Sequence, residues 1–298
     1  MGRDPKHDYK SRCIYHITIG KAPACPDFSR ITGTLSRPIT VRSQIGEIIE
    51  SQILNFSELC SSLQILQYVI MPDHIHFAIF ARDYLPRVLG IYIGMMKVKC
   101  GQLIREVLPS VSDVFTEDFH DRFLKPFHSL DAIIKYIRQN PYRLLARRLN
   151  PDFFRKINNI EINESKWQAY GNIQLLENPF KAPVIIHRAD SEPLKTDKRR
   201  RWKHLAENGG VLVSPFISRE EKEIRRQGEN CHGKIILLSN KPFGERKKPA
   251  AHDFELCAKG LLLILAPMEI LPTGRETFLY LNSIAESISI PKKDEKDI

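Results

Sequence analysis

The sequence predicts an α+β protein: a small antiparallel sheet with helices laid on it, followed by a small α/β unit. Three observations carry this. Up to Asn150 the pattern runs strand, helix, strand pair, helix, short strand, helix, an order that suits helices packed on an antiparallel sheet. Beyond Gly209, near-continuous apolar strands are separated by helical patterns, as buried parallel strands require. At 298 residues, 42% of them hydrophobic, the chain is long enough for two ordinary cores.

Each element has its own signal. SRCIYHITIG (Ser11 to Gly20) alternates as a strand, with Tyr15 and the β-branched residues supplying the propensity, and Pro23, Pro26 and Gly33 then break the pattern. From Arg42 to Phe56, Ile45, Ile48, Ile49 and Ile53 recur at helical spacing. LQILQYVI and HIHFAIFA form a strand pair joined through Met71-Pro72-Asp73, where Pro72 marks a boundary because it cannot donate a ladder hydrogen bond. A second helix covers Pro86 to Leu108, carrying Leu89, Ile93, Met96, Val98 and Ile104 among basic residues. FTEDFHDRFL reads as a short strand. SLDAIIKYIRQNPYRLLARRL reads as a helix from its N-cap Ser129 until Pro141 interrupts it.

Residues 158–208 read as connector, ending in a basic linker at 191–208. The unit at 209–290 contributes the strand GGVLVSPFI and a helix, REEKEIRRQGEN, started by a capping box of Ser218 and Glu221. The strands GKIILLS and GLLLILAP follow, then the closing helix RETFLYLNSIAESIS. The tail at 291–298 is expected to be disordered.

Composition narrows the function. No apolar run reaches the roughly 18–20 residues of a membrane span, and the polar start MGRDPKHDYKSRC has no signal-peptide core behind it. A soluble, cytoplasmic protein is expected. The six cysteines are scattered without a CxxC pair, which suits free thiols and does not support a cysteine zinc site. A net charge of +10 makes a polyanion partner plausible. Part of the excess is concentrated in KTDKRRRWKH around Trp202 and in RLLARRLNPDFFRK. Each run is either a solvated face or a phosphate contact, and the second reading makes affinity steeply salt-dependent.

The stretch LQYVIMPDHIHFAIF poses the chemical question. His74 and His76 are two apart, so a strand points both imidazoles to one face. With ten histidines in the chain an HxH arises easily by chance, but two adjacent imidazoles inside an apolar strand are costly unless something binds them. A shared divalent cation is the natural occupant, and it needs at least one further ligand. AIIKYIRQNPYRL offers one. Tyr136 and Asn140 are four apart on one helix face, so an Asn140 amide oxygen could join the imidazoles with the Tyr136 hydroxyl beside them. Tyr142, further round the helix and beyond Pro141, is the poorer candidate.

VIMPDHIHFAIF followed by YIRQNP resembles the single-tyrosine HUH transposases, and among them the REP-associated tyrosine transposases, relatives of the smallest insertion-sequence transposases. Tyr15-His16, FHDRFL and AYGNIQLLENP agree as well, so the resemblance covers residues 10–190. It implies an RRM/ferredoxin-like antiparallel sheet, with His74, His76 and Asn140 as ligands of Mg²⁺ or Mn²⁺ and Tyr136 as the nucleophile. It also implies a substrate of single-stranded DNA, often folded as a hairpin, with a nucleoid-associated location and room for a homodimer. Asp73 stands where many relatives carry Asn, a difference expected to alter local charge while leaving coordination intact. Arg138, Arg143, Arg147 and Arg148 flank the nucleophile and, with Arg199, Arg200 and Arg201, are candidates for phosphate contacts.

The implied chemistry is transesterification. A free tyrosine hydroxyl is only about 0.1% ionised at pH 7, and a divalent ion offsets that penalty. The covalent phosphotyrosine conserves the phosphodiester energy, so rejoining needs no other cofactor. Beyond Gly209 the chain resembles, at low specificity, the Rossmann-like fold of DNA-processing proteins that handle single strands. It has no GxGxxG and no P-loop lysine motif, so nucleotide binding is unsupported. An accessory domain for DNA binding or assembly and a second enzyme both stay open. So do two rival readings of the whole: a domesticated hairpin-binding protein that does not cleave, and a metal phosphodiesterase using water.

Overall fold

The computed structural model describes residues 4–125, 129–245 and 249–290, and the chain divides into two units, Met1–Arg148 and Leu149–Ile298. The tail expected to be disordered lies outside the described residues. The fold is mixed α+β, as the sequence predicts.

The first unit begins with β1 (Cys13–Lys21) and a two-stranded hairpin of β2 (Ser29–Gly33) and β3 (Pro38–Arg42). Helix α1 (Gln44–Leu54), the short α2 (Phe56–Leu59), β4 (Leu63–Ile70), β5 (His74–Ala81), α3 (Leu89–Val107), β6 (Phe115–Phe123) and α4 (Leu130–Leu149) follow. β1, β4, β5 and β6 form a four-stranded antiparallel sheet in the order β4-β5-β1-β6. Its core face carries Tyr15, Ile17, Ile19, Ile75, Phe77 and Ile79. Against these pack Ile45, Ile49 and Ile53 of α1 and Ile93, Met96, Cys100 and Ile104 of α3. Each such side chain contributes roughly 1.5–3 kcal/mol on burial, which is why the isoleucine spacing fixes α1. Ser43 caps α1, its hydroxyl accepting from the Gly46 amide at 3.2 Å.

The hairpin is missed by the sequence reading because its punctuation reads as loop. Gly33 has φ +87, and a Cβ there would collide with the Arg37 carbonyl oxygen, so the tight return through Thr34–Arg37 requires glycine. The second departure is at Pro141. Instead of stopping there, α4 runs through it, with Pro141 buried. Proline removes one backbone donor from the helix. In the same turn the Asn140 side chain donates from Nδ2 to the Tyr136 carbonyl at 2.8 Å, so a side-chain hydrogen bond supports the helix where the backbone is weakest.

In the second unit the hairpin β7 (Ile157–Ile162) and β8 (Ser165–Gly171) is followed by β9 (Lys181–Pro183), α5 (Glu192–Glu207), β10 (Val211–Ser214), α6 (Arg219–Asn230), β11 (Lys234–Leu238), α7 (Ala251–Ala258), β12 (Leu262–Pro267) and α8 (Arg275–Ser289). The six strands form one sheet in the order β7-β8-β12-β11-β10-β9, with β9 to β12 parallel and β8 antiparallel to β12. One face is covered by Trp202 and Ala206 of α5, Ile224 of α6, and Leu256 and Cys257 of α7. The other is covered by Leu281, Ile284 and Ala285 of α8. Burial on both faces explains the unbroken apolar runs of β10 to β12.

The expected boundaries therefore change. Residues 158–183, read as connector, supply three strands to the second sheet, so the division falls after Arg148 and not near residue 190. The stretch 191–208, read as a linker, is the helix α5, capped by Ser191 and anchored by buried Trp202, whose indole N–H donates to the Pro183 carbonyl at 3.0 Å. Charge on its exposed side hid the buried stripe. At α6 the capping box is present as expected: the Ile217 and Ser218 amides donate to the Glu221 carboxylate at 3.0 Å each, and the Glu221 amide donates to the Ser218 hydroxyl at 3.1 Å. No helix among the described residues is long and apolar enough to cross a membrane.

A chain ending at Thr196 keeps β8 and β9 but loses their partners β12 and β10, exposing the fully buried Trp167. Limited proteolysis of that truncation is expected to leave the first unit intact and digest residues 149–196. A protease-resistant 149–196 segment would show that β7 to β9 hold without the parallel strands.

Candidate active site

Alternation along β1 sends Tyr15, Ile17 and Ile19 to the core and leaves His16 and Thr18 on the opposite face. β5 repeats the pattern, with Ile75, Phe77 and Ile79 in the core and His74 and His76 on that same opposite face. Pairing register sets Thr18 directly across from His76 and Gly20 across from His74. Helix α4 lies over this face: Arg138 donates from Nε to the Gln67 side-chain oxygen on β4 at 2.9 Å, and Leu145 packs with Met71 and Ile31.

The two expected ligands are brought together. The Nε2 atoms of His74 and His76 stand 3.1 Å apart. Behind His74, Nδ1 is 2.6 Å from a carboxylate oxygen of Asp73. A carboxylate only accepts, so His74 donates from Nδ1 and Nε2 is the nitrogen left for a metal. Behind His76, Nδ1 is 2.8 Å from the Thr18 hydroxyl and 3.2 Å from His16 Nε2.

This donor set fits a divalent cation. Two cis ligands on an octahedral ion with bonds of ~2.1 Å stand about 3.0 Å apart, close to the observed nitrogen separation. His16 is no third ligand, because its nitrogen approaches Nδ1 of His76 and not the Nε2 side. Among the described residues no group of three or more His, Cys, Asp or Glu side chains is arranged to hold a metal. An asparagine, the residue type expected as third ligand at Asn140, lies outside those four residue types. Asn140 is buried one turn beyond Tyr136, with its amide nitrogen engaged by the α4 backbone, so Oδ1 is the atom left for coordination.

Tyr136 is 40% exposed and its ring centroid lies 5.6 Å from that of His76 and 5.7 Å from that of His16. The expected nucleophile therefore lies beside His76 and His16 on the same sheet face. The Arg143 guanidinium carbon sits 5.9 Å from the centre of the Tyr136 ring. Arg147 and Arg148 are exposed near the end of α4, and Arg148 lines a groove of about 410 Å³ with Arg30 and Arg42. Arg138 spends its Nε on Gln67 and so acts as a tether of α4 to β4. In the other unit, Arg199 pairs with Glu220 at 2.8 Å, and Arg200 and Arg201 both pair with Asp197 at 2.7 and 2.6 Å. That partial neutralisation weakens the case for α5 as a phosphate surface.

Burial, then the nearby Arg122 cation, lowers the His16 pKa to about 4. Burial, then His74 and His16, lowers that of His76 to about 3. Both rings are neutral at physiological pH, as metal ligands and their partners must be. The unfolded chain binds protons on these rings below about pH 6.5 while the folded chain resists until near their lowered values, so folding stability falls as pH drops through that window. Denaturant titrations of the protein at pH 7 and pH 4 are expected to differ by on the order of 3 kcal/mol for each of the two rings. Equal stability at the two pH values would mean the rings are solvated enough to protonate in place.

No family model matches the chain, and no curated protein matches it. Solved structures do. One is a REP-associated tyrosine transposase bound to a REP hairpin, at 12% identity and TM-score 0.35, covering 48% of this chain and 74% of that one. Another is DNA processing protein A from Helicobacter pylori, known for a single-stranded DNA binding mode, at 19% identity and TM-score 0.33, covering 46% of this chain and 67% of that one. Both scores are below 0.5, so the functional case rests on the residues of the site.

His16 and Thr18 are absent from the sequence-derived site. Their signal was present: a polar pair two apart within the apolar run CIYHITIG, the same pattern that singles out His74 and His76.

Proposed function

We propose that the first unit is a metal-dependent single-stranded DNA strand transferase of the single-tyrosine HUH type. The observation that carries this is the convergence of His74, His76 and Tyr136 on one sheet face, with the two Nε2 atoms 3.1 Å apart. Mg²⁺ or Mn²⁺ held by His74, His76 and Asn140 would supply charge neutralisation at the scissile phosphate. Tyr136 attacks the phosphorus: its oxygen forms the new P–O bond as its proton is lost, and the P–O3′ bond breaks. The 5′-phosphate stays on the tyrosine and the 3′ oxygen takes up a proton. Rejoining is the reverse displacement by a 3′-hydroxyl, so the bond energy is retained. Arg143 beside the Tyr136 ring and the exposed Arg147 and Arg148 are suited to holding neighbouring phosphates. The DNA is proposed to be a single strand folded as a REP-like hairpin.

The test is incubation of labelled single-stranded hairpin DNA from the flanks of the gene with the full-length protein and Mg²⁺, followed by a denaturing gel. A labelled band at protein mobility, absent in EDTA, is the expected result. Tight binding without an adduct would favour the non-cleaving hairpin-binding protein. Metal-dependent cleavage without an adduct would favour water as the nucleophile.

A further inference from the structure

His74 and His76 have different supports behind them, and the difference identifies a further residue. We propose that Thr18 is a positioning residue for the cation site, holding His76 in the tautomer that turns its Nε2 lone pair toward the ion. The inference rests on the metal-binding reading of the two histidines. A neutral imidazole carries one ring proton, and the partner of one nitrogen decides which nitrogen is left bare. For His74 that partner is the Asp73 carboxylate at 2.6 Å. For His76 it is the Thr18 hydroxyl at 2.8 Å, with His16 Nε2 farther off at 3.2 Å.

Register makes this pairing rigid. Thr18 on β1 is the direct cross-strand neighbour of His76 on β5, in the middle of a continuous antiparallel ladder. The ladder keeps the two Cα positions opposite each other, so the side chains meet without any backbone movement. With Nδ1–H of each ring held by these outer partners, both Nε2 lone pairs are free for a cation. Without one, the Thr18 hydroxyl can donate to His76 Nδ1 instead, and His76 Nε2–H then donates to His74 Nε2 across 3.1 Å. A cation selects the tautomer in which Thr18 accepts, and that is the state Thr18 supports. His16, packed edge-on to Tyr136 with centroids 5.7 Å apart, is the substitute acceptor when the hydroxyl is removed.

The experiment measures Mn²⁺ affinity directly, from the electron paramagnetic resonance signal of free Mn²⁺, on the full-length protein without DNA. Thr18→Val keeps the shape and removes the acceptor; Thr18→Ser keeps the acceptor. Thr18→Val is expected to weaken Mn²⁺ binding about 10–100-fold, further when combined with His16→Leu, while Thr18→Ser stays within about twofold of wild type. Thermal melts in EDTA check that the variants fold, and hairpin affinity in EDTA is expected to stay unchanged. Wild-type affinity in both Thr18→Val and the double variant overturns the positioning role while leaving the metal reading standing. A wild-type protein that binds no Mn²⁺ overturns the metal reading and this inference with it.

Discussion

Tyr136→Phe is expected to abolish the covalent protein–DNA adduct completely while leaving hairpin affinity within a few-fold of wild type. The substitution removes one oxygen and keeps the ring that packs edge-on against His16 and His76. Because Tyr136 is 40% exposed, the fold should lose no more than about 0.5 kcal/mol, the usual effect of a surface substitution. A drop in adduct can then be assigned to chemistry and not to unfolding. The measurement is adduct yield on a denaturing gel beside binding of the same DNA in EDTA. An adduct formed by the Phe variant would move the nucleophile to Tyr142 or elsewhere and remove the central residue of the proposal.

His76→Ala and His74→Ala are each expected to take cleavage below detection, a loss beyond the ~10–100-fold typical of an outer partner. The two should differ in a second property. His76 is buried and its pKa is held at about 3, so its removal should also flatten the acid sensitivity of the first unit. Adduct assays and denaturant midpoints at pH 7 and pH 4 on both variants read the two effects separately. Full cleavage by the wild type in EDTA would end the metal role outright.

How much of this was legible in the sequence depended on distance along the chain. The strand pair around Met71-Pro72-Asp73, the isoleucine stripe of α1 and the Ser218–Glu221 capping box are local patterns, and each appears where expected. The shared face of His74 and His76, and that of Tyr136 and Asn140, follow from strand and helix periods alone. What was not legible depends on pairing. His16 and Thr18 reach His76 across 60 and 58 residues, and only the β1–β5 register puts them there. β7 to β9 are short and carry polar residues such as Asn158 and Asn159, and their place in a sheet is set by β10 and β12, more distant in sequence. Helix α5 was hidden by its own charge, because six of its sixteen residues are Lys or Arg and its buried stripe is as narrow as Trp202 and Ala206. Pro141 misled for the opposite reason: the usual local rule was overridden by burial in α4 and by the Asn140 back-bond.

The capping box of α6 has a consequence for what the second unit can sense. In parallel α/β sheets the amides at a helix start, just past a strand end, are where phosphate groups commonly settle. Here β10 leads to that position, and the chain fills it with its own negative charge: the buried Glu221 carboxylate takes the Ile217 and Ser218 amides. A nucleotide arriving at this helix end would have to evict a carboxylate already desolvated and bonded twice. At that helix start the second unit offers a phosphate group no unclaimed pair of amides, because the chain's own carboxylate already holds them.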